Sequence, residues 1–154
     1  MPADVFVSTL QDWVEVAMRH SMRQFLHYAR ESGLSMSNLG TIFHIHRIGS
    51  CGVTEIGEHL GVTSAAASQM LDRLVEQGLV VRTEDSEDRR VKRIELTAKG
   101  ELAFQAGIQA RESWMEELAG VLTESEKEAA TSALRLLIEK INRLNEVLES
   151  TSPD

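Results

Sequence analysis

The stretch Thr63-Ser-Ala-Ala-Ala-Ser-Gln-Met-Leu-Asp-Arg-Leu-Val-Glu-Gln-Gly78 limits the possible folds more than any other. Thr63 or Ser64 can cap a helix by accepting a bond from an orphan backbone N–H, and Gly78 can end it in the left-handed conformation. Between them Ala67, Met70, Leu71 and Leu74 recur at helical spacing and predict a core-facing side. The opposite side carries Ser64, Ala65, Ser68, Gln69, Asp72 and Arg73, a face that is short and uncharged at its beginning and can press against a flat partner. Upstream, Val53 to Val62 predicts a short helix capped by Thr54, with Ile56 and Leu60 inward and Gly57 where another helix crosses closely. Gly61 stands where a tight turn needs positive φ, and Val62 is expected to plug the angle between the two helices. Each position has its own steric reason, and together they spell a helix-turn-helix.

The flanks complete the plan. Residues 4–31 form a long amphipathic helix with Leu10, Trp13, Val14, Ala17, Met18, Met22, Phe25, Leu26 and Ala29 on its apolar stripe. That stripe is longer than a small domain needs, so part of it is expected to be covered by another chain. A second helix runs from Met36 to Ile48 between a Ser35 or Ser37 cap and Gly49, with Gly49 to Gly52 read as a turn. After Gly78, residues 79–83 and 91–96 predict two strands joined by a polar loop, a hairpin beside the helix-turn-helix that makes it winged. Thr97 caps a third long helix to about Val121, with Leu102, Phe104, Ile108, Met115, Leu118 and Leu122 inward. Thr123-Glu-Ser-Glu126 is a capping box opening a final helix whose Leu134, Leu137, Ile141, Leu144 and Leu148 step as a helix–helix seam. The expected fold is mainly α with a small β-hairpin wing: a winged helix-turn-helix domain at 35–100, helical dimerisation segments at 1–34 and 101–150, and a tail at 151–154.

The net charge of −8, taken as a total, argues against nucleic acid, but its distribution does not. Residues 101–154 hold 11 acidic against 5 basic side chains, whereas 81–100 hold 6 basic and 5 acidic and are the net positive segment, with Arg89, Arg90, Lys92 and Arg93 clustered. Phosphate contacts act locally because charges are screened within ~10 Å at moderate salt. No apolar run approaches the ~18 residues of a membrane span, and the N-terminus lacks a signal-peptide layout, so no membrane partner and a cytoplasmic location are expected. One cysteine, Cys51, rules out an internal disulfide framework. A nucleophile elbow, a phosphate-cradling glycine loop and a metal-binding cluster are all missing from the sequence, which argues against an enzyme and against any cofactor or metal.

These residues carry a resemblance to the MarR family of winged-helix transcriptional regulators over nearly the whole chain. Leu60-Gly-Val62, Leu71-Asp-Arg-Leu74 and Gly78-Leu-Val-Val-Arg82 carry it, and it continues through Asp85-Ser-Glu-Asp-Arg-Arg90 into Leu96-Thr-Ala-Lys-Gly100. The resemblance implies a homodimer held by the terminal helices, double-stranded DNA bound by the recognition helix and wing, and release by a small phenolic or aromatic anion, by thiol oxidation or by a metal. It also implies a ligand cavity, for which Trp13, Met18, Met22, Phe25 and Phe43 are the candidate lining, although all five are first of all core residues by spacing. In one departure from the family pattern, Glu87 stands before the Asp-Arg-Arg of the wing tip, where a basic or small residue is common; it partly neutralises the arginines.

On this frame Thr63, Ser64, Ala65, Ala66, Ser68 and Gln69 are expected at the DNA. Gln pairs with adenine through two bonds, alanine touches a thymine methyl, and the alternative is a plain solvated face. Arg73, Arg89, Arg90 and Lys92 are expected at phosphates or the minor groove. Asp72, Asp85 and Asp88 are expected to stiffen the wing through one arginine, Arg90, leaving Arg89 to reach DNA. Cys51 has no charged neighbour in sequence to lower its pKa, so an inert thiol is expected over a redox sensor. His44 and His46, two residues apart, cannot share a helical face as a metal pair requires, while His20 and His27 can. Two functions of different class stay open: a ligand-modulated repressor, and a winged-helix adaptor between proteins.

Overall fold

The computed structural model describes residues 3–84 and 92–151, with side chains over 4–84 and 92–144. The elements in order are α1 (Ala3–Ser32), α2 (Met36–Ile48), β1 (Ser50–Cys51), α3 (Val53–Leu60), α4 (Ser64–Glu76), β2 (Val80–Glu84), β3 (Lys92–Leu96), α5 (Ala98–Val121) and α6 (Glu124–Thr151). Two compact units divide them, Met1–Trp114 and Met115–Asp154.

In the first unit the core is assembled from one face of each short helix. Leu39, Ile42 and Ile45 of α2, Ile56 of α3, and Ala67, Leu71 and Leu74 of α4 have no exposed surface, and Ile94 of β3 closes the cluster from the sheet side. Three- and four-residue steps bring each set to one side of its helix. Gly57 is buried at the crossing of α3 and α4, where a Cβ would stand 3.1 Å from the Val62 carbonyl oxygen and 3.7 Å from Ala67 Cβ. Gly61 turns between them at φ 66°, in the left-handed region. Val62 does not fill the angle as expected: its backbone carbonyl lies at the crossing while the residue is 44% exposed.

The wing is larger than a hairpin. Ser50 and Cys51, expected in a turn, form β1 and pair antiparallel with Glu95 and Ile94, giving a three-stranded sheet in the order β1-β3-β2. Thr54 is not the cap of α3; Gly52 is, and Glu55 Oε2 accepts from the Gly52 N–H at 2.6 Å. The start of α5 is bonded to the chain leaving α4. Thr97 Oγ1 accepts from Gly100 N at 3.0 Å and donates to the Gly78 carbonyl at 2.6 Å, and the Thr97 N–H donates to the Leu79 carbonyl at 3.1 Å. Tyr28 Oη, donating to the Ala103 carbonyl at 2.9 Å, and Trp114 Nε1, donating to Ser21 Oγ at 2.8 Å, fasten α1 to α5.

Long stretches of the long helices are uncovered. Phe25 and Ala29 of α1 are buried, but Trp13, Val14, Met18, Met22 and Leu26 are exposed. Leu102, expected inward, is 70% exposed: it faces away from the packed side of α5, which presents Gly100, Gly107 and Trp114. Periodicity locates a stripe but not its edges. In the second unit the capping box of α6 is present, Thr123 N donating to Glu126 Oε2 at 2.8 Å and Glu126 N to Thr123 Oγ1 at 3.4 Å. The Thr123 N–H, together with Thr123 Oγ1, which donates to the same Glu126 Oε2 at 2.8 Å, holds the Glu126 carboxyl below its ordinary pKa. Leu134, Ile141 and Leu144 of its seam are exposed. Among the described residues, no helix is long and apolar enough to cross a membrane.

Candidate nucleic-acid interface and effector cleft

Thr63 caps α4, its Oγ1 accepting from Ala66 N at 3.2 Å, which commits one side of the hydroxyl to the helix. Ser64, Ala65, Ala66 and Gln69 are exposed on the first two turns, and Ser68 is half-buried. A helix surface of such short side chains lets backbone approach a partner closely, and its unbonded first-turn N–H groups favour an anion nearby. Asp72 and Arg73 follow on the exposed side; among the described residues Arg73 has no ion pair, so its guanidinium is available to an incoming group.

Both basic side chains of β3, Lys92 and Arg93, are already engaged. Lys92 Nζ lies 2.9 Å from Glu84 Oε1 across the β2–β3 pair, and Arg93 donates through Nε to Ser50 Oγ at 2.8 Å and through Nη2 to the Ser50 carbonyl at 3.0 Å. Arg93 therefore ties β3 to β1, and Lys92 shares its charge with Glu84. Asp85, Asp88, Arg89 and Arg90 lie outside the described residues. Asp72 has a partner of its own: its Oδ1 accepts from Arg82 Nη2 at 2.6 Å, joining α4 to β2. Arg82 was not foreseen as a site residue because ten positions separate the pair and no periodic pattern relates a helix face to a strand. The signal it left was an outward arginine on a short strand opposite an outward aspartate. Lys99 Nζ donates to the Gln77 carbonyl at 2.7 Å, placing a cation on the C-terminal end of α4.

A cleft of about 410 Å³ opens between α1, α2, α3 and α5, lined by Phe25, Met36, Gly40, Phe43, His44, Arg47, His59 and Arg111. Its lining holds two guanidinium groups, two imidazoles and no carboxylate. Phe25 and Phe43 meet edge to face with centroids 5.8 Å apart, and Arg111 Cζ stands 5.7 Å from the Phe25 centroid. The absence of a side chain at Gly107 makes room for Phe43, whose ring would be 3.2 Å from a Cβ there. Of the five cavity residues expected from sequence, Phe25 and Phe43 line this cleft. Met22 lies instead in an open trough of about 730 Å³ bounded by α1 residues alone, Arg19, Arg23 and Arg30 among them. Trp13 and Met18 line neither.

His44 and His46 point to different surroundings, His44 stacking on His59 and His46 on Phe104, with His46 Nδ1 2.9 Å from Glu101 Oε2. His20 packs against Trp114 and His27 pairs with Glu31. Cys51 is fully buried, and burial together with the nearby Glu55 carboxylate pushes its thiol pKa up to about 11, so the reactive thiolate is scarce at neutral pH.

A family model described as MarR family matches residues 34–92. The HTH-type transcriptional repressor MdtR of Bacillus subtilis is 29% identical over 124 residues, 80% of either chain. Among solved structures, the YusO protein of Bacillus subtilis is 27% identical with a TM-score of 0.66, covering 90% of this chain and 99% of that one. A mutant MepR of S. aureus bound to an oligodeoxyribonucleotide has a TM-score of 0.68 at 20% identity, covering 88% of this chain and 97% of its own, and shares the fold.

Proposed function

The chain belongs to the MarR family of winged-helix regulators, and from that premise we propose that it is a sequence-specific DNA-binding transcriptional repressor. It acts as a homodimer on a near-palindromic operator and is released by a small aromatic anion. The observation that carries the DNA reading is the exposed beginning of α4, Ser64, Ala65, Ala66 and Gln69, presented by a buried helix-turn-helix scaffold, with Arg73, which has no ion pair among the described residues, beside it. Gln69 and the two alanines supply base contacts in the major groove; Arg73, Lys92, Arg89 and Arg90 supply phosphate or minor-groove contacts. The repressor name of MdtR and the nucleotide-bound MepR with the same fold support this assignment.

The homodimer is supported by apolar surface that a single chain leaves uncovered, Val5, Phe6, Trp13 and Val14 on α1 and Leu134, Ile138, Ile141 and Leu144 on α6. Exposed runs of that size mark interaction surfaces in soluble proteins. Two-fold symmetry then requires half-sites roughly 10 bp apart, or a multiple of that. The effector reading rests on the cleft, whose aromatic floor and cationic rim match the two halves of an aromatic carboxylate or phenolate. A ligand that prefers a dimer with wrongly spaced recognition helices shifts the population away from the DNA-competent form.

Fluorescence anisotropy with duplexes from the protein's own promoter region, at several salt concentrations, tests the proposal. Gln69→Ala is expected to narrow the gap between specific and unrelated DNA, whereas Arg73→Ala weakens both and lowers the salt slope by ~1. If no duplex binds in a salt-dependent way, the DNA reading fails and a protein–protein adaptor with the same fold replaces it.

A further inference from the structure

His44 of α2 and His59 of α3 lie ring on ring at the cleft, with centroids 3.7 Å apart and planes 18° from parallel. Arg47 Nη2 stands 3.3 Å from His44 Nδ1. A guanidinium can only donate, so this contact is one that the neutral ring makes, with Nδ1 accepting and the proton on Nε2. The groups facing His44 are Arg47 from its own helix, His59 and Glu55 from α3, and Arg111 of α5 across the cleft. Glu55 is turned to the Gly52 N–H. Burial, then His59 and Arg47, hold the His44 pKa below its ordinary value, with Glu55 opposing them. An empty cleft therefore repels a proton at the position where its cations attract an anion. A bound carboxylate removes the repulsion, because it offers Arg47 a better acceptor than an imidazole and places a negative charge beside both rings.

We propose that the cleft takes up an aromatic carboxylate together with one proton, which His44 receives from solvent on Nδ1 as Arg47 turns its guanidinium to the carboxylate. The inference rests on the reading of the cleft as the effector site. Proton and anion are thereby linked, each tightening the binding of the other. His59 carries the consequence toward the DNA-reading helix: it belongs to α3, which ends at the Gly61 turn into α4, and a charged His44 beneath its ring favours a different seating of α3 on α2. Acidification and effector then act in the same direction on DNA binding.

Benzoate serves as the probe, since it stays ionised above a pH of about 5. Its Kd for the intact protein, measured by calorimetry from pH 8 to pH 5.5, is expected to fall with pH, by up to ~10-fold per unit where a full proton is taken up. In His44→Gln the Kd is expected to be flat. In the wild type, the NMR titration midpoint of the His44 ring is expected to rise on saturation with benzoate. A Kd independent of pH, or a dependence that survives unchanged in His44→Gln, overturns the proton linkage and leaves the cleft reading standing. A variant that fails to fold leaves the decision to the wild-type NMR midpoint, and a midpoint unmoved by benzoate overturns the linkage. If benzoate does not bind at any pH, the cleft reading fails and the linkage falls with it.

Discussion

Gly100→Ala probes the joint on which the wing and α5 both depend. The Gly100 N–H is held by Thr97 Oγ1, and the residue sits in the first turn of α5 against the backbone leaving α4. A Cβ there would overlap the Leu79 carbonyl oxygen and would also stand 3.1 Å from Leu79 C and 3.2 Å from Leu96 Cδ2. The obstruction is backbone, and the Leu79 carbonyl accepts from the Thr97 N–H at 3.1 Å, so it cannot retreat without loosening that bond. Overpacking of this kind costs ~3 kcal/mol, and a weakened hydrogen bond adds ~1 kcal/mol. Alanine returns up to ~1 kcal/mol of helix propensity. The net destabilisation is ~3–4 kcal/mol, which for a chain of this length lowers the melting temperature by ~6–16 °C. Gly120→Ala is the control: it lies on the same helix with no heavy atom within 4 Å of the added carbon. It is expected to stabilise by ~0.4–1 kcal/mol. Scanning calorimetry of the three proteins at equal concentration checks both values. A Gly100→Ala protein that melts with or above the wild type would refute the close approach of α5 to Leu79.

The Arg82–Asp72 pair is partly exposed, 38% and 53%, so Arg82→Ala is expected to change stability by less than ~1 kcal/mol. It should nonetheless weaken operator binding, because it releases β2 from α4; unchanged affinity in the anisotropy assay would count against that role. Cys51, buried with its pKa raised to about 11, is expected to resist iodoacetamide at pH 8 in the folded protein and to react once unfolded in urea. Stoichiometric labelling of the folded protein would reopen the redox reading. His44 takes its proton at lower pH in the folded chain than in the unfolded one, whose value is ~6.5. Its contribution to stability is therefore present above that pH and declines as pH falls through it. Urea midpoints at pH 7.5 and 5.5 should diverge more in the wild type than in His44→Gln, and equal divergence would contradict the shift.

The parts legible in the sequence are those whose cause is local. Thr63, Thr97 and the Thr123–Glu126 box cap their helices because a side-chain oxygen two or three residues from an orphan N–H meets it in any surrounding. Gly61 turns left-handed because no other residue does so without strain, and Gly57 is small because the next helix passes at van der Waals distance. Helical period likewise located the inward faces of α2 and α4. Where expectation and structure part, a distant partner made the difference. Ser50 and Cys51 are a strand only because Glu95 and Ile94 lie alongside them. Gly52 displaces Thr54 as a cap because β1 ends there.

The sequence by itself thus determined the helix-turn-helix, its caps and the face of α4 that is offered to a partner, since each follows from interactions spanning a turn or two of chain. Tertiary structure alone decided which charges are engaged and which surroundings the ionisable groups share. Asp72 meets Arg82, Arg111 covers Phe25, and His44 lies on His59. Side chains on separate elements come within a few ångströms only after the core of Leu39, Ile42, Ile56 and Leu71 has set the helices against one another, and no spacing along the chain encodes that distance.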